Sequence, residues 1–265
     1  MTTLDFQHTH LPALGKTVLR LGLAPNYGLD AAGIRAALDD RGMQYVFWSP
    51  VMFKATAPLR EALATDRERY VVATGPNMGF WGGNMRSFVE RALRALRTDY
   101  LDVLQLNWLG VASWWTDGTV QAMQAMREEG KVRSLGVSIH NRTRAGELAA
   151  ESPLDQLMIR YNAAHPGAER DIFPKNPAGP GRKAVVAYTA TAWRKLLKRP
   201  RGWTEAVPAA TDCYRFCLSN PAVDVVLTGP KDMAQLDENL HALQRGAMSG
   251  EEEVWMRRFG QTVHG

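Results

Sequence analysis

The stretch YLDVLQLNWLG, residues 100–110, has the pattern of a buried β-strand. Leucine and valine fill most positions from 101 to 106 with few charges among them, which is typical of a strand in a parallel sheet that is covered on both faces. The apolar pattern then stops at Asn107 and Trp108. What an amide and an indole do at the end of a core strand depends on where that end lies in the fold.

Seven further runs of the same kind occur along the chain. They are VLRLGLA (18–24), YVFWSP (45–50), YVVATG (70–75), SLGVSIH (134–140), LMIRYN (157–162), AVVAYTA (184–190) and DVVLTG (224–229). Segments with helical spacing of apolar residues separate them, so strands and helices alternate. Eight such units in succession predict a (β/α)8 TIM barrel, an α/β fold. We expect a single domain over residues 1–265, with residues 1–17 forming an N-terminal hairpin or plug.

Local signals predict where several helices begin and end. Asp30 and Asn84 can each cap the start of a helix with a side-chain oxygen. Gly42, Gly130 and Gly246 each follow a helical segment, where glycine can take the left-handed conformation that ends a helix.

Composition and charge are those of an ordinary globular protein, with 45% hydrophobic and 22% charged residues. No apolar run approaches the ~18 residues needed to span a bilayer. The start of the chain lacks a signal-peptide pattern, and the only cysteines are Cys213 and Cys217, so a cytoplasmic location without disulfides is expected. The net charge of +5 is spread along the chain. Its densest run, RKLLKRPR (194–201), is interpreted as a solvated helix end rather than a nucleic-acid-binding segment.

Barrel enzymes carry their chemistry on the C-terminal ends of the strands and on the loops that follow. The predicted strand ends are rich in aromatic and amide side chains and hold no carboxylate. In chain order they present Asn26, Tyr27, Phe47, Trp48, Gly75, Asn107, Trp108, Ser138, His140, Arg160, Asn162, Tyr188, Gly229 and Lys231.

Four segments resemble the aldo-keto reductases: EEGKVRSLGVS (128–138), RYNAAHPGAERDIFP (160–174), VVAYTA (185–190) and LSNPAVDVVLTGPKDMAQLDENLHAL (218–243). The similarity runs in order along nearly the whole chain. It implies a (β/α)8 barrel that binds NADP(H) across its mouth and reduces carbonyl compounds with a tyrosine, a lysine, an aspartate and a histidine.

None of these four catalytic residues is present at the position that matches the family. Phe47 replaces the aspartate, Met52 the tyrosine, Gly75 the lysine and Asn107 the histidine. Reduction of a carbonyl needs a proton donor near the developing alkoxide, and loss of a positioned acid removes ~10²–10⁴ in rate. Asparagine can hydrogen-bond an oxyanion but does not supply a proton at neutral pH. We therefore predict that the chain lacks ordinary carbonyl reductase activity.

The resemblance places the cofactor contacts at Ser138, Tyr188, Gly229, Lys231, Gln235, Glu238 and Asn239. Ile139 and Met158 replace two amides that would hold the nicotinamide. Lys231 and the helix start beside it can bind a phosphate, whereas Asp232 would repel a 2′-phosphate or simply cap the helix. Two alternatives stay open: NADP(H) bound with fewer contacts, or no cofactor.

Arg160 should face the barrel mouth, because Met158, Arg160 and Asn162 alternate onto one side of their strand. An inward guanidinium either binds an anionic group of a ligand or forms an ion pair with Glu169 or Asp171. We predict the first, with the ligand's apolar part against aromatic side chains.

The histidines allow several interpretations. His140, at a strand end, can act as an acid or base or can be a loop histidine bonded to backbone. His165 is interpreted as structural. His8 and His10 share one face of a strand, but two ligands without a third do not predict a metal site.

Five tryptophans can wall an apolar pocket: Trp48, Trp81, Trp108, Trp114 and Trp115. Trp48, Trp81 and Trp108 are assigned to the substrate pocket together with Phe47, Met52, Gly75 and Asn162. The segment FWGGN (80–84) is interpreted as a tight turn before the helix that Asn84 caps.

Three functions follow from these residues. The favoured one is a small-molecule enzyme that performs an elimination, isomerisation or templated rearrangement, with Arg160, His140, Asn107 and Tyr27 as its catalytic residues. The second is an NADP(H)-dependent oxidoreductase in which Tyr27 or His140 is the substitute acid. The third is a ligand-sensing pseudoenzyme, comparable to the potassium-channel β-subunits that share this fold. The expected partner is a small anionic molecule with an aromatic or apolar part, rather than nucleic acid or a membrane, and the protein is expected to be a monomer or small homo-oligomer.

Overall fold

The computed structural model describes residues 5–76 and 82–264, with the side chains of residues 82–84 left out. An antiparallel hairpin comes first, formed by β1 (His8–Leu11) and β2 (Lys16–Leu19). Eight parallel strands then close into a barrel in the order β10-β3-β4-β5-β6-β7-β8-β9. The predicted (β/α)8 barrel is therefore confirmed.

The barrel strands are β3 (Leu21–Leu23), β4 (Tyr45–Phe47), β5 (Val71–Thr74), β6 (Leu101–Leu109), β7 (Val132–Ile139), β8 (Gln156–Arg160), β9 (Ala184–Tyr188) and β10 (Val225–Thr228). The helices are α1 (Ala31–Asp39), α2 (Phe53–Thr65), α3 (Gly82–Leu96), α4 (Asp117–Glu128), α5 (Arg142–Glu151), α6 (Ala168–Asp171), α7 (Ala210–Ser219), α8 (Met233–Arg245) and α9 (Gly250–His264). Two short 3₁₀ turns span Phe173–Lys175 and Lys195–Leu197. No helix in the described ranges is both long and apolar enough to cross a membrane.

Three local predictions need correction. The run 18–24 is not one strand, because its first residues close the hairpin as part of β2 and only Leu21–Leu23 enters the barrel. Helix α3 begins at Gly82, so Asn84 lies inside the helix and is not its cap. The basic run 194–201 is a 3₁₀ turn rather than a helix end, because its Leu196 is fully buried and pins the segment to the core.

Other helix ends follow the expected chemistry. The Oδ1 atom of Asp30 accepts a hydrogen bond from the Gly33 N–H at 2.8 Å and caps α1. Gly130 and Gly246, after α4 and α8, have φ angles of 72° and 75°, which glycine adopts at little cost. Cys213 and Cys217 lie buried and free in α7.

Two apolar layers hold the barrel. The larger one packs the outer face of the sheet against the helices. The smaller one fills the interior with Tyr45, Val103, Val186 and their neighbours, and the hairpin's Leu11 and Val18 close its N-terminal end. Side chains alternate between these layers along each strand. The open C-terminal end is therefore the place where inward side chains can meet a ligand.

Candidate functional site

A cavity of about 480 Å³ opens at the C-terminal ends of the barrel strands. Its wall is mostly apolar and aromatic, and the described residues that form it include no carboxylate. The lining residues are Ala24, Asn26, Tyr27, Phe47, Asn107, Trp108, Ser138, His140, Met158, Tyr188, Thr189, Ala190, Thr191, Trp193, Arg194, Tyr214, Leu227 and Gly229. A concave, largely apolar space with a few converging polar groups is the usual form of a small-molecule site.

Asn107 and Gly75 lie in contact at the ends of β6 and β5, as their match to the family's histidine and lysine requires. The Asn107 Nδ2 donates to the Gly75 carbonyl at 2.8 Å, and its Oδ1 accepts from the Gln105 Nε2 at 2.7 Å. A Cβ on Gly75 would stand 1.6 Å from the Gln105 carbonyl oxygen. Backbone therefore occupies the space where a side chain at position 75 would begin.

The amide of Asn107 is thus used to join two strand ends. It is predicted above as a catalytic group, but both of its polar atoms already have protein partners, so its role in the described structure is to hold the mouth in shape. The same network continues inward, since Gln156 lies between Gln105 and the Tyr45 hydroxyl.

Phe47 lines the cavity, whereas Trp48 and Met52 do not. Trp48 is fully buried, and its Nε1 donates to the Thr56 Oγ1 at 3.2 Å beneath α2. The reason is strand alternation: with Tyr45 and Phe47 directed inward, the next side chain faces the helices. Met52 is buried at the start of α2. The assignment of Trp48 and Met52 to the pocket was wrong.

His140 and Tyr188 form the main polar pair of the cavity. The Tyr188 Oη and the His140 Nε2 are 3.1 Å apart, and the two rings meet edge to face with centroids 5.7 Å apart. Burial lowers the pKa of His140 and the nearby charge of Arg160 lowers it further. Burial raises the pKa of Tyr188, against smaller opposite effects from a hydrogen bond with Ser138 and from Arg160. At neutral pH the pair is a neutral imidazole beside a protonated phenol.

Two aromatic side chains flank this pair. Trp108 lies with its ring centroid 6.4 Å from that of His140. Tyr27, on the opposite wall, packs against Gly229, where a Cβ would stand 2.1 Å from the Tyr27 ring. Burial raises the pKa of Tyr27, with a smaller opposite effect from its hydrogen bond with Asn26.

Arg160 is half-buried at the end of β8, where it pairs in register with Tyr188 of β9, but it is not among the residues that line the cavity. Neither predicted carboxylate partner is available: Glu169 binds Arg257 at 2.9 Å, and Asp171 binds Arg142 at 2.8 Å. Within the described ranges no carboxylate lies within 4.0 Å of the Arg160 guanidinium. The positive charge of Arg160 nevertheless acts on the cavity, because it further lowers the pKa of His140 and opposes the effect of burial on the pKa of Tyr188.

Asn162 was assigned to the pocket by continuing the alternation of β8, but the strand ends at Arg160 and the assignment was wrong. Its Nδ2 donates to the Thr189 carbonyl at 2.8 Å, and its Oδ1 contacts the His165 Nδ1 at 3.1 Å. Asn162 therefore links two loops. His165 also packs against His264, with ring centroids 4.8 Å apart.

The remaining tryptophans lie elsewhere. Trp115 lines a groove between α4 and α5, and Trp114 is exposed outside the mouth cavity. Phe80 and Trp81 of the segment FWGGN fall outside the described residues, and its last three residues begin α3. His8 and His10 pair with Asp5 and Thr17, and no cluster of three metal-binding side chains occurs in the part of the chain that the structure describes.

Several lining residues were not predicted from the sequence, and two of them bear on the chemistry of the cavity. Trp193 and Arg194, in the loop after β9, both face the cavity. The basic character of 194–201 concealed them, because a run of cations next to leucines reads as a solvated surface. A signal was available in Trp193, an indole five residues beyond Tyr188.

The NADP(H) contacts implied by the family resemblance divide into two groups. Ser138, Tyr188 and Gly229 line the cavity. At the adenine end the side chains are already in use, because the buried Asn239 donates to the Thr228 Oγ1 at 2.8 Å and Gln235 accepts from the Lys231 N–H at 3.0 Å.

At the predicted phosphate position, Lys231 lies beside an acidic residue. Asp232 accepts from the Gln235 N–H at 2.9 Å and caps α8, and its carboxylate stands 3.6 Å from the Lys231 Nζ. Glu238 is exposed on the same helix. The Lys231 and Asp232 side chains are 64% and 48% exposed, so their ion pair is a weak surface contact that leaves Lys231 accessible to a phosphate, whereas the Asp232 carboxylate would repel one.

Comparison of the sequence with known proteins identifies its family. A model of the Aldo/keto reductase family matches residues 29–199. The protein named Uncharacterized oxidoreductase YqkF, from Bacillus subtilis, is 23% identical over 193 residues, which are 63% of this chain and 63% of that curated relative.

Solved structures match over more of the chain. Aldo-keto reductase AKR11C1 from Bacillus halodurans, in its holo form, superposes with a TM-score of 0.80 at 20% identity over 96% of both chains. An aldo-keto reductase from Klebsiella pneumoniae in complex with NADPH gives a TM-score of 0.75 at 22% identity over 93% of both chains. Because the family model covers more than half of the residues, this chain belongs to the aldo/keto reductase family.

Proposed function

We propose that this protein is a small-molecule enzyme that transfers protons, not hydride, at the barrel mouth, in an isomerisation or elimination next to a carbonyl group. The observation that carries the proposal is the closed space at Gly75, where a Cβ would meet the Gln105 carbonyl oxygen at 1.6 Å. A lysine that would tune a proton-donating tyrosine has no room there. The His140–Tyr188 pair is the acid–base group that the cavity offers instead.

His140 is suited to be the base. Its pKa is lowered by burial and by Arg160, so the imidazole is neutral at pH 7 and can accept a proton from the carbon next to a carbonyl. Tyr188 is suited to donate a proton to the carbonyl oxygen, since burial keeps its phenol protonated. One proton leaves carbon and one reaches oxygen, giving the enol, so the step balances without an oxidant or reductant.

The proposal is tested by measuring the exchange of substrate α-protons with solvent deuterium. Aryl ketones that carry α-protons are incubated with the protein in D₂O without nicotinamide cofactor, and loss of the α-proton signal is followed by ¹H NMR. We expect exchange in the wild type and a fall of ~10²–10⁴ in the His140→Gln and Tyr188→Phe variants. His241→Gln, an exposed histidine on α8, serves as the matched control and should leave the rate unchanged.

The pH dependence gives a further check on the base. A neutral imidazole is the active form, so exchange should be lost as the pH falls through the pKa of His140. That pKa lies below the ordinary value of about 6.5, so more than half of the plateau rate should remain at pH 6.5. Half of the activity lost at pH 7 or above would contradict the assignment of His140.

A second candidate is NADPH-dependent reduction with Tyr27 as the substitute acid. Its support is the place of Tyr27 in the cavity with a raised pKa, together with relatives that are named as oxidoreductases. Oxidation of NADPH with 4-nitrobenzaldehyde at ~1 s⁻¹ or faster, abolished in Tyr27→Phe and without proton exchange, would favour this candidate over the first.

A further inference from the structure

Left-handed backbone is concentrated at the mouth of the barrel. In the described ranges five residues other than glycine have a positive φ: Arg97 at 53°, Trp108 at 56°, Ala192 at 47°, Trp193 at 56° and Arg194 at 67°. Three of these five, Trp108, Trp193 and Arg194, line the cavity, and Ala192 adjoins them.

Such backbone is unfavourable for a residue with a Cβ, and three consecutive residues in it are rare. The segment keeps this conformation because backbone hydrogen bonds fix both of its ends. The Ala192 N–H donates to the Thr189 carbonyl at 2.8 Å, and the Lys195 N–H donates to the Ala192 carbonyl at 3.1 Å. Strain that surrounding structure holds in place is a frequent feature of ligand-binding sites.

The strained segment presents an aromatic wall to the cavity. The ring of Trp193, which is 65% exposed, lies 6.4 Å from the ring of Tyr27 with their planes 55° apart. Tyr27 is itself held by its close contact with Gly229. Trp193 and Tyr27 thus line the cavity with two large flat rings, both of which are exposed to solvent.

Charge at the same place is positive. Among the described residues that line the cavity, Arg194 is the one with a full charge at neutral pH, and none is an aspartate or glutamate. No carboxylate of the described part of the chain lies within 4.0 Å of the Arg194 guanidinium. An exposed guanidinium beside aromatic rings suits a ligand that is flat and carries a carboxylate, since arginine binds carboxylates through two parallel hydrogen bonds.

We propose that Tyr27, Trp193 and Arg194 form a subsite for an aromatic carboxylate, with the ring against Trp193 and Tyr27 and the carboxylate on Arg194. That this compound is the substrate rests on the proton-transfer function proposed above, with its reacting carbon directed toward His140 and Tyr188. This assignment places the anion on Arg194, which lines the cavity, and not on Arg160, which is half-buried at the end of β8 and does not line it.

Calorimetric titration with 2-naphthoate tests the subsite, with 2-naphthalenemethanol and cyclohexanecarboxylate as probes that lack the charge or the aromatic ring. We expect 2-naphthoate to bind most tightly. Arg194→Gln should weaken it about tenfold or more, the value of one charge-assisted hydrogen bond, and leave the alcohol unchanged. Arg194→Lys should restore part of the loss. Trp193→Asn, a residue tolerated in left-handed backbone, should weaken both aromatic probes.

The control is Arg201→Gln, which removes an exposed arginine of the same basic run that does not line the cavity. Equal losses in Arg194→Gln and Arg201→Gln, or equal affinity for the acid and the alcohol, would overturn the subsite. Displacement of 2-naphthoate by micromolar NADPH would assign the place to a cofactor phosphate instead. Because binding is measured without turnover, its failure is distinct from failure of proton exchange in the wild type.

Discussion

Gly75 and Asn107 meet at the ends of β5 and β6, where the asparagine amide donates to the glycine carbonyl at 2.8 Å. The two residues depend on each other: a glycine lets the strands approach until its Cα faces the Gln105 carbonyl, and an amide bridges the contact. A histidine at 107 would have to replace both amide contacts with ring nitrogens, which lie farther from the backbone and in a different geometry than the Asn107 amide atoms. Restoring a single catalytic side chain therefore does not restore the family's site.

Replacing Gly75 with alanine should cost stability far beyond the loss of backbone freedom. The added Cβ would have to displace the Gln105 backbone, which lies 1.6 Å away, so we expect the free energy of unfolding to fall by about 3 kcal/mol or more. Denaturant unfolding followed by circular dichroism measures it. The matched control is Gly118→Ala in α4, where nothing lies within 4 Å and alanine should stabilise the helix by up to ~1 kcal/mol. Similar effects of the two substitutions would mean that β5 and β6 are not in close contact here.

Several site residues could be predicted from the sequence because a strand end fixes where its side chains point. Phe47, Asn107, Ser138, His140 and Tyr188 all line the cavity, as their places at strand ends predict. The two wrong assignments to the pocket, Trp48 and Asn162, also follow from strand geometry. Alternation places Trp48 under α2 once Phe47 is inward, and it stops at the last residue of a strand, which is why Asn162 turns away from the pocket.

The conformation of the loop after β9 is the feature of the site that is hardest to predict from the sequence. Its cations and leucines resemble a surface segment, and no propensity predicts left-handed backbone at alanine, tryptophan and arginine. The conformation arises from tertiary contacts: Leu196 is fully buried and anchors the loop, which turns Trp193 and Arg194 to the cavity. Sequence pattern thus predicted the strands and helices well and this loop poorly.

If this loop is strained, a substitution that relieves the strain should raise the stability of the protein and at the same time weaken ligand binding. Arg194→Gly removes an exposed side chain at a φ of 67°, where glycine is unstrained, so the free energy of unfolding should rise by about 0.5–1 kcal/mol. The same variant should lose affinity for 2-naphthoate. Ala57→Gly, on the exposed face of α2, is the control and should lower stability by ~1 kcal/mol. A loss of stability in Arg194→Gly as large as in this control would show that the loop carries no strain.

At the scale of the whole molecule, the two ends of the barrel have different tasks. The cavity and its strained loop lie at the C-terminal end, while a buried ionic cluster closes the N-terminal end. There Asp102, fully buried at the start of β6, accepts from the Lys16 Nζ at 2.8 Å and the Arg67 Nη2 at 2.7 Å. Its Oδ2 also accepts from the Val72 N–H at 2.9 Å. One carboxylate therefore ties the hairpin, the segment before β5 and β6 together.

The division between the two ends predicts that Asp102 can be changed without altering the site. Asp102→Asn removes the buried anion shared by Lys16 and Arg67, which are 10% and 17% exposed, and leaves Lys16 only the exposed Glu68 at 3.5 Å, so we expect the free energy of unfolding to fall by about 3–5 kcal/mol. Glu147→Gln removes the exposed partner of Arg144 on α5 and should cost no more than about 1 kcal/mol. Folded Asp102→Asn protein, below its unfolding transition, should bind 2-naphthoate as the wild type does, because a barrel carries function at one end and stability at the other. A loss of binding in folded Asp102→Asn would show that the ionic cluster and the mouth are coupled through the strands, and would require the site to be treated as part of the whole barrel.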